Sequence, residues 1–96
     1  MIQRDGDRLR VLGEATLETA AALLGQGEAL LGSGITTLDL AGVSAADSSG
    51  LAILLGLKRA ARRQGVDLRI ENLPANLASL AHLYGLEPIL LLDAHV

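Results

Sequence analysis

Within 96 residues the chain switches repeatedly between a period of two and a helical period, and that alternation limits the folds open to it. Arg8-Leu9-Arg10-Val11-Leu12 alternates polar and apolar residues, the pattern of a strand with one buried face. Asp5-Gly6-Asp7 before it supplies a turn that reverses the chain from Ile2-Gln3-Arg4, which predicts an opening hairpin. Thr16 then suits a helix cap, with Glu18 in the first turn and Leu17, Ala20, Ala21, Leu24 and Leu31 recurring on one side at helical spacing. Gly25 and Gly27 weaken the middle of that helix, and Ser33-Gly34 ends it. Ile35 to Leu40 reads as a compact strand, Ser49 to Gln64 as a second helix stopped by Gly65, and Val66 to Ile70 as another strand. Pro74 fits the first turn of a third helix, with Leu77, Leu80, Ala81 and Tyr84 on one face and Gly85 closing it. Pro88 precedes a last apolar run, Ile89 to Leu92. This order predicts an α/β fold, a parallel or mixed sheet covered by helices, with right-handed crossovers bringing strand ends and helix starts to one rim.

Composition narrows the function classes. Half the residues are hydrophobic but Tyr84 is the single aromatic, so the core has to be built from Leu, Ile, Val and Ala. The length predicts a single domain over residues 1–96, with any elaborate chemistry supplied by partners. A net charge of -3 and a pI near 5.2 give no global electrostatic reason to expect nucleic acid, although Lys58, Arg59, Arg62 and Arg63 cluster. Without cysteine there is no disulfide or thiolate metal site, in keeping with a reducing cytoplasm. Mean hydropathy is +0.40, yet the longest apolar stretch, Leu51 to Leu57, is far shorter than the ~20 residues of a spanning helix. The first residues, Met1-Ile2-Gln3-Arg4-Asp5, lack the layout of a signal peptide, so export is not expected.

The polar chemistry concentrates between the third strand and the second helix. Asp47-Ser48-Ser49-Gly50 places two hydroxyls where a helix begins. A hydroxyl there can cap an unpaired backbone N–H, and a phosphate there would meet converging N–H groups and the positive end of the helix dipole. Ser48 is therefore either a cap or a modifiable group, and Asp47 before it can accept backbone N–H bonds. On a helical wheel Ile53, Leu54, Leu57, Ala60 and Ala61 form the core arc, with Lys58, Arg59, Arg62 and Arg63 opposite. Leu51, Ala52 and Leu55 fall among the charged residues, on the side expected to see solvent. Leucines rimmed by basic side chains have the composition of a small docking surface, unless a neighbouring loop or the Ile89 to Leu92 segment covers them. Catalysis has little support: His82 and His95 offer no positioned base for Ser48, and no glycine stands two places before it. His82 reads as a solvated helix residue, two histidines without cysteine make a poor metal site, and no Gly-Lys-Ser/Thr loop cradles a nucleotide. No enzyme activity and no cofactor are expected.

Three runs, Leu38-Asp39-Leu40-Ala41-Gly42-Val43, Ala46-Asp47-Ser48-Ser49-Gly50-Leu51-Ala52 and Arg63-Gln64-Gly65-Val66-Asp67-Leu68, together resemble the STAS domain, the fold of anti-sigma factor antagonists. The resemblance covers nearly the entire chain, with Gly13 to Thr16 similar to the family's first strand-to-helix turn and Asp47 to Gly50 similar to its signature loop. It implies a single STAS-like domain with a mixed four- to five-stranded sheet and helices packed mainly on one face. In the partner-switching antagonists the serine after the aspartate is phosphorylated by an anti-sigma kinase, and that position here is Ser48. In the STAS subunits of Mla-type phospholipid ABC transporters, the loop and second helix bind the ATPase subunit. The starts of the second helix, Gly50 to Leu55, and the Leu80 to Leu86 run are similar to that second branch. The implied role is a non-catalytic regulatory subunit that binds the transporter ATPase and serves outer-membrane lipid asymmetry. Its binding residues would be Asp47, Ser48, Ser49, Gly50, Leu51, Ala52, Leu55, Arg59 and Arg62. The implied location is cytoplasmic, peripheral on the inner membrane through the complex, without direct membrane or nucleic-acid contact.

Overall fold

Gly6, at φ +64°, turns the chain between β1 (Ile2–Asp5) and β2 (Arg8–Ala15) in the computed structural model, which describes residues 1–32 and 34–90. The two strands pair antiparallel, from Ile2 opposite Val11 to Asp5 opposite Arg8. Next come α1 (Ala20–Leu30), β3 (Thr37–Ala46), α2 (Ser49–Arg63), β4 (Arg69–Glu71), α3 (Ala75–Leu83) and a short α4 (Glu87–Leu90). β2 and β3 run parallel, as do β3 and β4, giving a mixed sheet in the order β1-β2-β3-β4. The fold class expected from the alternation is the one observed, with four strands among the described residues.

The period-two pattern sorts the two sheet faces. Leu9, Leu38 and Ile70 stand opposite one another across β2, β3 and β4 and, with Val11 and Leu40, form the buried face against which α1 and α2 pack. The alternate positions form a charged face: Arg8 Nη1 donates to Asp39 Oδ2 at 3.0 Å, and Arg8 Nη2 lies 3.1 Å from Glu71 Oε1. Asp39 Oδ1 also accepts from Asn72 Nδ2 at 2.9 Å and from the Ala41 N–H at 3.0 Å. Burial pushes the Asp39 carboxyl up, but Asn72, the Ala41 N–H and Arg8 outweigh it and hold it below the usual carboxylate range. Asp39 thus ties β3 to β2 and to the turn after β4, where Asn72 adopts a left-handed φ of 58°, and Arg8 extends the link to Glu71 of β4. At the outer edge of β1, the Ile2 N–H is taken by Gln26 Oε1 of α1 at 3.0 Å.

Aliphatic side chains fill the space between the helices. A Cβ on Gly27 of α1 would lie 2.5 Å from a terminal carbon of Leu57, and one on Gly56 of α2 would lie 2.7 Å from a terminal carbon of Leu24. Each helix sets a leucine on the other's glycine, so the backbones approach closely without an aromatic spacer. Gly27 is therefore a packing residue, while Gly25, with nothing near its Cβ position, only loosens the helix.

Several local expectations change. The first helix starts at Ala20 rather than after Thr16, because Thr16 N–H donates to Thr19 Oγ1 at 2.9 Å while Thr19 Oγ1 donates to the Glu14 carbonyl at 2.8 Å. That side-chain turn competes with the helix. The buried face then centres on Leu23 and Gly27, Ala21 is exposed, and Leu17 is 76% exposed instead of packed. β3 begins at Thr37 and continues past Leu40 to Ala46, its pairing with β2 shifted in register between Arg10 and Leu12 and between Gly13 and Glu14. β4 is confined to Arg69–Glu71. Tyr84 follows the last turn of α3 and is exposed, leaving Leu77 and Ala81 as the buried residues of that helix. Of the last apolar run, Leu90 is fully buried in α4, which packs against α2, and residues 91 and 92 lie outside the described residues.

The two glycines of α1 should separate in urea denaturation. Gly27→Val forces a branched side chain into the Leu57 contact and should lower unfolding free energy by about 1–3 kcal/mol. Gly25→Ala should raise it by about 0.5–1 kcal/mol.

Candidate functional site: the rim around Ser48

Parallel pairing of β2 and β3 brings Ala15 and Ala46 side by side, so both chains leave the sheet at one rim. The Asp47 N–H donates back to the Ala15 carbonyl at 3.3 Å. The Asp47 carboxylate then serves two segments at once: Oδ1 accepts the Ser49 N–H at 2.8 Å, and Oδ2 accepts the Leu17 N–H at 3.2 Å. Asn76, in the first turn of α3, donates from Nδ2 to the Ala46 carbonyl at 2.7 Å. Gly50 is buried, and a Cβ there would meet Leu77 at 3.0 Å and the Ala15 carbonyl at 3.4 Å. Glycine at that place lets the start of α2 press against α3 and the end of β2. Three connections, after β2, β3 and β4, thereby converge beneath Ser48. The N–H of Leu17, with those near Ser49, holds the Asp47 carboxyl below its usual range.

Ser48 itself is exposed and makes no capping hydrogen bond. The capping expected of it is performed by Asp47, one residue earlier. Three of the N–H groups that a phosphate there would meet are already engaged. Ser49 N–H is held by the Asp47 carboxylate, Gly50 N–H by the Asp47 carbonyl at 2.9 Å, and Leu51 N–H by the Ser48 carbonyl at 3.1 Å. A phosphate on Ser48 would add its charge at the residue after the Asp47 carboxylate, with those three amides already taken.

Along α2, Ala52, Arg59 and Arg62 are exposed and Leu55 is half-buried. Leu51 is not on the solvent side: it is 3% exposed, within the hydrophobic core. Lys58 is 7% exposed rather than on an open basic face, with Nζ 3.9 Å from Asp67 Oδ1. Leu51 and Lys58 are two turns apart on one stripe, and α2 packs not only on the sheet and α1 but also against α3 and α4. Its buried arc is therefore wider than the wheel of an isolated helix suggests. Leu55, Lys58, Arg59 and Arg62 line a cavity of ≈ 270 Å³. Sequence reasoning missed Leu17 and Asn76 at the rim. Leu17 fits the periodicity of a helix that begins only at Ala20, and Asn76 carries no signal until α3 is placed.

His82 is exposed, with Nδ1 3.0 Å from Glu87 Oε2. His95 lies outside the described residues. Among the described residues no three His, Cys, Asp or Glu side chains form a group that could hold a metal ion.

The family described as "Mlab, STAS domain" matches residues 1–93. The intermembrane phospholipid transport system binding protein MlaB of Escherichia coli K12 is 36% identical over 81 residues, spanning 84% of this chain and 82% of that protein. Its counterpart in Shigella flexneri matches to the same extent. Among solved structures, a sulfate transporter family protein from Wolinella succinogenes superposes with a TM-score of 0.66 at 16% identity, over 88% of this chain and 70% of that one. The anti-sigma factor antagonist SpoIIAA in its unphosphorylated form gives 0.60 at 17% identity, over 83% of this chain and 78% of that one. At these identities the two structures show the shared fold.

The geometry separates neighbouring residues of the loop. Asp47→Ala should lower the melting temperature, because two backbone N–H groups lose their acceptor, whereas Ser48→Ala should leave it unchanged. The Asp47 carboxyl is depressed in the folded state, so its contribution is complete at neutral pH and is lost as pH falls through the folded-state pKa. Melting curves of wild type and Asp47→Ala should therefore converge on acidification.

Proposed function

This chain belongs to the STAS domain family, and we propose that it is a non-catalytic subunit of a phospholipid transporter that binds and stabilises or regulates the transporter's ATPase. The observation that carries this reading is the 36% identity to the phospholipid transport protein MlaB, which runs through most of both chains. The docking surface would comprise the Asp47 to Gly50 loop and the adjoining side of α2. Direct contact would come from Ser48, Ala52, Leu55, Arg59 and Arg62, which are exposed or half-buried. Asp47, Ser49, Gly50 and Leu51 would act beneath them, fixing the height and direction of the helix start. Leu55 supplies the apolar centre and the arginines the polar rim, the division found in protein interfaces. Regulation would follow from preferential binding to one state of the ATPase, since equal binding to both states shifts nothing. Nucleotide chemistry stays with the partner. Among the described residues no helix is long and apolar enough to cross a membrane; under the transporter reading the chain would sit peripherally on the cytoplasmic side of the inner membrane through its complex.

A second reading, as an anti-sigma factor antagonist, is favoured by one observation: Ser48 is exposed and its hydroxyl is not used as a cap. Phosphorylation would add about 1.5–2 negative charges there. With the helix-start amides engaged, the new charge would act outward, by repelling a bound kinase.

Two measurements test these readings. Leu55→Asp should abolish co-purification of the ATPase with the tagged chain, with circular dichroism confirming an intact fold; survival of the complex would remove this surface from consideration. Incubation with an anti-sigma kinase and ATP should leave the mass at Ser48 unchanged under the first reading and add one phosphate under the second.

A further inference from the structure

The cations of this chain are unevenly neutralised. Arg8 contacts Asp39 and Glu71, Arg10 lies near Asp5, Arg63 near Glu28 and Arg69 near Glu71. Lys58, at the wall of the α2 cavity, has Asp67 beside it. Arg59 and Arg62, on the same cavity, pair with no carboxylate among the described residues. They stand three residues apart on one helix face, and Lys58 is four residues from Arg62, so like charges are neighbours. Among the described residues, a chain with net charge -3 thus sets two arginines without a carboxylate partner beside a half-buried leucine.

We propose that this cavity is a socket for an acidic segment of the partner protein, in which an aliphatic side chain seats on Leu55 while an adjacent carboxylate is drawn between Arg59 and Arg62. The inference rests on the docking reading above and adds the chemistry that the partner must present. At ≈ 270 Å³ the recess matches one or two side chains, and an incoming carboxylate relieves the repulsion among the cations. An anionic bilayer fits less well: surface binding to lipid relies on clusters of about four to eight cations, whereas here two arginines, without a carboxylate partner among the described residues, flank a recess.

The test uses the full chain and the transporter ATPase. The double variant Arg59→Glu/Arg62→Glu should weaken the complex by at least about tenfold, and Arg59→Lys/Arg62→Lys should stay within about threefold of wild type, with wild-type affinity falling as salt rises. Treating the complex of the Arg62→Lys variant with a zero-length carbodiimide should join the introduced amine to an Asp or Glu of the ATPase, located by mass spectrometry. Unchanged affinity of the glutamate variant, with the wild-type complex intact, overturns the socket and leaves the docking reading standing. Coupling to a carboxylate within the chain's own residues 91–96 also overturns it, as does glutamate-sensitive binding to phosphatidylglycerol vesicles with no change in the protein complex. Failure of the wild-type chain to bind the ATPase overturns both.

Discussion

A core with no aromatic ring has to be closed by bringing backbones together, and the reciprocal contacts of Leu57 on Gly27 and Leu24 on Gly56 are where this chain does so. Tyr84, the lone aromatic, sits at the surface and contributes nothing to the filling. The close approach fixes α1 on α2 and both on the apolar face of the sheet. With its middle clamped in this way, α2 directs its first turn at the ends of β2 and β3, where Asp47 receives it. Packing density at the helix pair and geometry at the rim are thus links of one chain of causes.

At the rim the division of labour between Asp47 and Ser48 matters most. An ionised carboxylate can accept from two segments together, and Asp47 does so with Leu17 and Ser49. The hydroxyl next to it is relieved of a structural duty. Ser48 consequently stands on a rigid base while its own side chain remains available to a visitor. Both functional readings use that property, one through shape and the other through a change of charge.

Much of this was legible in the residues. The hairpin, the order of elements and the mixed sheet follow from period-two runs alternating with helical ones, and the α2 core arc of Ile53, Leu54, Leu57, Ala60 and Ala61 is buried as the wheel indicates. The start of α1 was not legible, because Thr16 satisfies a cap pattern equally well as a side-chain turn with Thr19. A helical wheel misplaces Leu51 and Lys58 because it describes one helix and cannot count the neighbours that pack on it. Gly27 looked like a weakness until Leu57 was seen to occupy its place. The Asp39 cross-link depends on the register of three strands, which no single segment encodes.

The margins of the sheet carry a last consequence. β4 exposes only Arg69–Glu71, and on the opposite side Gln26 already occupies the amide of Ile2. Those two places give a foreign strand little backbone to zip onto, whereas β3 runs on from Leu40 to Ala46 past the three residues that β4 pairs. On the helix and loop surfaces, side-chain identity rather than generic amide chemistry decides who is admitted.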